Sequence, residues 1–252
     1  MNPDTVFLSY DEPTADAHFD RLQAVVPAAR HVRGVSGLAA AYRAACQAAT
    51  TEWVWIVDAD NWVYDRFAAA LPPSDPDPRI LYTLKARNPV IGAPSAHGGI
   101  KLVHCATLLE TLARHGTAGL SATSAHHHPT LARLLHAPGE PPARPFRILP
   151  LTASENRYNA TPFHAWRCAF RHTAKLAHVS RSAPAGALKQ ALQWFTRGGD
   201  QPNGAWSMAG AVAGWRYGSA VDAAGLERIN DYAWLSEQWR RAGSLGATQE
   251  AV

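Results

Sequence analysis

Two carboxylates one residue apart, Asp58 and Asp60, close the apolar run Trp53-Val54-Trp55-Ile56-Val57. Asp-x-Asp at the end of an extended segment points two hard oxygen ligands at one spot while Ala59 turns away. That suits a divalent cation that also holds phosphate oxygens. The same letters also read as a buried strand followed by an acidic turn, and a motif this short matches by chance often. Other chemistry-bearing groups are less organised. His126-His127-His128 are adjacent, so they cannot all face one metal from a regular element, and they read as an exposed loop. Cys46, Cys105 and Cys168 are far apart with no Cys-x-x-Cys, which argues against a disulfide framework or a zinc knuckle and fits a reducing cytosol.

The elements that must position the carboxylates follow from the pattern around them. Val6 to Tyr10 reads as a first strand. A helix through Phe19, Leu22 and Val25 follows, capped by Thr14 or Asp16 and stopped by Pro27. Ala29 to Arg33 reads as a second strand. Gly34 to Gly37 turns, and Ser36 is placed to cap an Ala-rich helix from Leu38 to about Ala49. With the strand from Trp53 this makes β-α-β-α-β, the pattern of a doubly wound, mostly parallel sheet with helices on its faces. The carboxylates then sit at the C-terminal end of a central strand, where open α/β sheets bind ligands. Further strands are expected at Arg79–Lys85, Gly99–Val103 and Phe146–Leu149, with Pro72–Pro78 and 138–145 as loops.

From Pro162 to Ser180 the spacing predicts a helix. Phe163, Trp166, Phe170, Thr173 and Ala177 form an apolar stripe, and His164, Arg167, Arg171, Lys175 and His178 a basic one. Gly198 to Gly204 reads as a loop and Asp222 to Arg241 as a closing helix. The chain of 252 residues shows no repeat or linker, so one domain is expected. Its 47% hydrophobic content supports a real core and excludes global disorder. No apolar run is long enough to span a bilayer, and the N-terminus lacks signal-peptide character. The net charge is +4, but residues 156–199 carry seven Lys or Arg and no acid, which suggests a polyanionic partner or a solvated basic face.

Longer motifs add a resemblance. Gly37-Leu38-Ala39-Ala40-Ala41-Tyr42-Arg43-Ala44-Ala45, followed by Thr51-Glu52-Trp53 to Asp60, resembles the nucleotide-sugar half of GT-A glycosyltransferases. Arg87-Asn88-Pro89-Val90, His97-Gly98-Gly99-Ile100-Lys101-Leu102 and Asn159 to Arg171 resemble the TET-associated glycosyltransferases of phages and bacteria, with the likeness covering most of residues 5–180. The sequence departs from that group at His97, before the Gly-Gly, and at His172, after Phe170-Arg171, where the group carries an aromatic and a Glu. These departures bear on acceptor handling.

The resemblance implies a GT-A-like catalytic domain over residues 1–252, with a nucleotide-sugar half (1–105) and an acceptor half with C-terminal helices (106–252). It implies a Mn²⁺- or Mg²⁺-dependent transferase that moves a hexose from a donor such as UDP-glucose to 5-hydroxymethylcytosine in DNA, in the cytoplasm of a bacterium or of a phage's host. Asp58 and Asp60 are then the metal ligands, with His164 or His172 as a late ligand. Ser9, Tyr10, Asp11, Arg33, Gly37 and Asp58 are the donor contacts. Arg87, His97, Lys101, Trp166, Arg167, Arg171 and Lys175 are the acceptor contacts, with Trp166 available to stack on a base, although Arg87 and Lys101 could equally pair with Asp or Glu on the surface. An inverting reaction needs a general base, for which Glu155 and Asp200 are the candidates. A saccharide, lipid or protein acceptor on the same fold, and a non-catalytic nucleic-acid-binding module, are the alternatives.

Overall fold

The computed structural model describes residues 2–95, 99–115, 146–181 and 184–247. These fall into two compact units. One holds 2–89, 93–95, 99–115 and 146–157; the other holds 90–92, 158–181 and 184–247. His97, His126 to His128 and the 138–145 segment lie outside the described residues.

The first unit is an eight-stranded sheet with helices. In chain order it contains β1 (Asp4–Ser9), α1 (Ala15–Val25), β2 (Arg30–Arg33), α2 (Leu38–Ala48), β3 (Trp53–Asp58), β4 (Asn61–Val63), β5 (Leu81–Asn88), β6 (Ala93–Ser95), β7 (Ile100–His104), α3 (Cys105–His115) and β8 (Phe146–Asn156). The strand order is β2-β1-β3-β7-β5-β8-β4, with β6 on β5. The first three strands pair in parallel, as their helical crossovers require. The sheet as a whole is mixed rather than mostly parallel, because β7 runs antiparallel between β3 and β5 and β4 antiparallel to β8.

The apolar run of β3 is continuous because both its faces are covered. Val54 and Ile56 pack with Val6, Tyr42, Ala45 and Leu108. Trp53, Trp55 and Val57 pack on the other face with Phe7, Leu22, Phe67 and Tyr82. The strand is shorter than the sequence suggested. It ends at Asp58, the chain turns through Ala59 and Asp60, and β4 starts at Asn61 on the far side of β8. β8 also runs on past Leu149 to Asn156, so Glu155 lies in a strand rather than in a lead-in to a helix.

The second unit is helical: α4 (Pro162–Ser180), α5 (Pro184–Thr196), α6 (Gly204–Ala220), α7 (Ala223–Leu226) and α8 (Tyr232–Ala247). Neither α5 nor α6 was expected from the sequence, and the tail is broken by a 3-10 turn at Glu227–Asn230. The helix α4 is central. Trp166, Phe170 and Ala174 pack with Leu226, Ile229 and Leu235, and Trp166 stacks on Phe170 at 4.7 Å. Its other side meets the backbone of α6. A Cβ on Gly210, Gly214 or Gly218 would lie 2.2, 2.1 or 2.0 Å from the carbonyl oxygen of Trp166, Phe170 or Ala174. Thr173 Oγ1 donates across that seam to the Ala211 carbonyl at 2.7 Å.

Candidate active site

The turn that carries Asp58 and Asp60 is held at every residue. The Asp58 N–H donates to the Gly99 carbonyl at 2.7 Å, and the Arg157 N–H donates to the Asp60 carbonyl at 2.6 Å. His18 Nδ1 lies 2.7 Å from the Ala59 carbonyl. A carbonyl only accepts, so Nδ1 carries the proton. Burial lowers the His18 pKa, partly offset by that bond, and the ring is therefore a neutral donor that fixes the turn.

The side chain of Asn61 ties the Asp58 backbone to the Asp60 carboxylate. It is fully buried, and its Nδ2 donates to the Asp58 carbonyl at 3.2 Å and to Asp60 Oδ1 at 2.7 Å. Its Oδ1 accepts from Ser154 Oγ at 2.8 Å. The amide fits only because residue 99 has no side chain: a Cβ on Gly99 would lie 2.1 Å from Asn61 Nδ2. His18, Asn61 and Ser154 were not visible as site residues in the sequence. The only signal was the Gly98-Gly99 pair, a hint of close backbone approach.

The two carboxylates stand in different electrostatic settings. Lys101 Nζ reaches both oxygens of Asp58, at 2.7 and 2.8 Å, and its own side chain is 2% exposed against 41% for Asp58. Lys101 therefore does not face an acceptor, as the sequence suggested. It sits on β7 between β3 and β5, and burial there requires a partner. Burial alone would lower its pKa. The Asp58 carboxylate and the Tyr42 hydroxyl reverse this and hold it above the ordinary lysine range. Asp60 accepts from the neutral side-chain amides of Asn61 and Asn156. Burial, then the negative charges of Asp58 and Glu12, push its pKa up to about 7. The gathering of Asp58, Asp60 and Glu12 at this turn puts negative charge where a cation would fit. Among the described residues no group of three or more His, Cys, Asp or Glu could hold a metal, so such a cation would take its other ligands from donor phosphates and water.

The expected donor contacts gather at the C-terminal ends of β1 and β2, where Ser9 pairs in register with Arg33. Ser9 Oγ lies 2.7 Å from His31 Nε2, and Arg33 lies 3.2 Å from His31 Nδ1. A guanidinium only donates, so Nδ1 accepts and Nε2–H is the donor to Ser9. Arg33 also pairs with Asp16 at 2.5 Å. Tyr10 is exposed, with its N–H tied to Glu12 at 2.8 Å, and Asp11 follows it in the same turn. Gly37, at φ 89°, begins α2 with no side-chain cap, so Ser36 does not play the capping part expected of it. That φ favours glycine.

Several expected acceptor contacts are instead structural. Trp166 is 1% exposed and Lys175 2%, so neither can meet DNA. Arg171 donates to the Ile229 carbonyl and to Asn230 Oδ1, both at 2.9 Å, and Arg167 lies 4.8 Å over Tyr232. The basic stripe of α4 was misread because α4 is packed on nearly every side, so its polar face also turns inward. His164 bonds Thr161 at 2.7 Å, His172 lies against Trp194, and Asp200 is exposed in the turn before α6. Glu155, in the first unit, accepts from Arg87 at 3.3 Å and from Arg157 at 2.9 Å.

Comparison with known proteins places this geometry. Residues 26–87, which hold β2, α2, β3 and the acidic turn, match the family model for Glycosyl transferase family 2. No curated protein matches the chain. Among solved structures the chain is similar to a glycosyltransferase involved in glycosylation of the major capsid of PBCV-1, at 17% identity and TM-score 0.38, over 58% of this chain and 81% of that one. It is also similar to the mannosyltransferase PcManGT from Pyrobaculum calidifontis, in complex with GDP-Man and Mn²⁺, at 18% identity and TM-score 0.41, over 98% and 86%. The family match contains the acidic turn, and it identifies the enzyme class: this chain is a glycosyltransferase with a GT-A-like fold.

Proposed function

We propose that the enzyme transfers a hexose from a nucleoside-diphosphate sugar, UDP-glucose or a close relative, to the hydroxymethyl group of 5-hydroxymethylcytosine in DNA. Asp58 and Asp60 would hold Mn²⁺ or Mg²⁺, which neutralises charge on the departing diphosphate. Ser9, Tyr10, Asp11, Arg33 and Gly37 receive the nucleoside and the start of the diphosphate. Residues 1–105 carry the donor and 106–252 contribute to the acceptor side of one catalytic domain.

The DNA acceptor rests on one observation besides the sequence motifs. A basic and aromatic surface adjoins Asp60 in the first unit. The Arg157 guanidinium lies 4.2 Å over Trp62, with Arg21 5.9 Å from the same ring, and Arg66 4.8 Å over Tyr64. Interleaved guanidinium groups and rings suit phosphates and bases together. Arg87 extends this surface. Glu155, gripped by Arg87 and Arg157, is the general base we favour, and Asp200 is the alternative. Ordinary bases carry no aliphatic hydroxyl, so the acceptor oxygen must come from a modified base or from a sugar end, and the sequence motifs favour the modified base.

Matched DNA containing cytosine, 5-methylcytosine or 5-hydroxymethylcytosine, incubated with a panel of nucleotide sugars, tests this by nucleoside mass spectrometry. A hexose mass on the hydroxymethylated base alone is expected. Transfer only to free sugars would overturn the acceptor assignment and leave the enzyme class standing.

A further inference from the structure

The Lys101–Asp58 pair has a part to play that an Asp-x-Asp motif alone does not suggest. Lys101 Nζ carries three protons. Two go to the Asp58 oxygens, at 2.7 and 2.8 Å, and the buried Tyr42 hydroxyl faces the ammonium from α2, its ring 5.2 Å away. The side chain is confined between β3 and β5, opposite Ile56 and Thr83, and cannot swing to solvent. Of the two carboxylates, Asp58 is thus neutralised within the fold, while Asp60 is held by the neutral amide of Asn61. A cation arriving without the donor therefore meets one negative charge fewer than it would without Lys101.

We infer that Lys101 is a positioning residue that makes cation binding conditional on the donor's diphosphate, by neutralising Asp58 so that Asp60 and the phosphates together complete the site. This rests on the metal reading of Asp58 and Asp60 given above. The consequence is an ordered site: a bare divalent ion binds weakly, and the nucleoside diphosphate supplies the missing negative charge. A unit charge a few ångströms from a divalent ion is worth more than a decade in affinity even at an effective dielectric of about 20.

The test is Mn²⁺ binding by the full chain, read from the free-ion EPR signal, with and without UDP or GDP. Wild-type protein should bind Mn²⁺ weakly alone and at least about tenfold more tightly with the diphosphate. Lys101→Met should tighten bare Mn²⁺ binding by about tenfold or more and shrink the diphosphate's effect, while Lys101→Arg should behave as wild type. If Lys101→Met does not fold, the wild-type comparison decides the matter: bare Mn²⁺ bound as tightly as Mn²⁺ with the diphosphate would overturn the inference. Bare affinity unchanged in folded Lys101→Met would likewise overturn it and leave the metal site intact. Wild-type protein that binds no Mn²⁺ even with the diphosphate would overturn the metal reading, and this inference with it.

Discussion

Replacing Gly210 with Ala should destabilise the protein, whereas Gly186→Ala should stabilise it. Both glycines lie inside helices, Gly210 in α6 and Gly186 in α5, so each substitution gains up to about 1 kcal/mol of helix propensity. They differ in what the new methyl group meets. Nothing lies within 4 Å at residue 186. At residue 210 the three nearest atoms are the Trp166 backbone oxygen, carbon and Cα, at 2.2, 2.8 and 2.8 Å. No side chain can rotate away, so α4 and α6 must separate by more than an ångström. Overpacking of that kind costs about 1–3 kcal/mol. The parting seam also stretches the Thr173–Ala211 hydrogen bond, worth about 1 kcal/mol. The net expectation is a loss of about 1–3 kcal/mol. In a chain of this size that lowers Tm by roughly 2–12 °C, while Gly186→Ala raises it by a few degrees. Thermal unfolding followed by circular dichroism measures both. Gly210→Ala with a Tm at or above wild type would refute the close backbone approach of the two helices.

Asp60→Asn should reduce transfer by about a hundredfold or more with the fold intact, and EDTA should do the same to wild type; full turnover in EDTA would contradict the cation assignment. His18→Phe keeps the ring but removes the bond to the Ala59 carbonyl, worth about 1 kcal/mol, so kcat/KM should fall several-fold; an unchanged kcat/KM would show that the turn holds without it. Arg157→Ala should weaken DNA binding and flatten its salt slope by about one unit, measured by fluorescence anisotropy, while Arg171→Ala, which breaks contacts to Ile229 and Asn230, should lower stability and leave that slope alone. Burial lowers the Lys175 pKa from the ordinary 10.5 to about 7. Between those values the unfolded chain holds the extra proton, so stability should rise with pH there, by up to about 1.4 kcal/mol per unit, and stay flat below. Urea midpoints from pH 6 to 10 should show that rise in wild type and a flatter curve in Lys175→Met; equal slopes would rule out Lys175 as its source.

The first three strands and their helices were legible because their signals are local. Alternating strands and helices up to Asp60, an apolar run buried on both faces and the glycine turn from Gly34 to Gly37 each announce themselves within a few residues. The helical unit was not. Gly210, Gly214 and Gly218 are poor helix formers, and only the contact with α4, distant in sequence, makes them right for a helix. The same packing inverted the reading of α4, where i, i+4 spacing placed Lys175 beside Arg171 without revealing that the 3-10 turn would take up Arg171 and that Lys175 would be buried. Within the site, Asp58 and Asp60 stood out as a pair. Lys101 could be read as a phosphate contact or as the partner of a surface acid, because nothing in the sequence says that β7 would lie against β3 and turn its ammonium onto Asp58.

The fit of Asn61 into the space left by Gly99 ties together two positions far apart in the chain. A methyl group at residue 99 would occupy the place of the Asn61 amide, so the two sites can change only in concert. Among related sequences this should appear as covariation: a larger residue at 99 accompanied by a smaller one at 61, and a new donor to steady the carboxylate at 60. For the engineer, Gly99 is therefore a poor target for helix- or strand-favouring replacement on its own. A paired exchange such as Gly99→Ser with Asn61→Gly offers a route by which the hydroxyl at one position takes over the duty of the amide at the other.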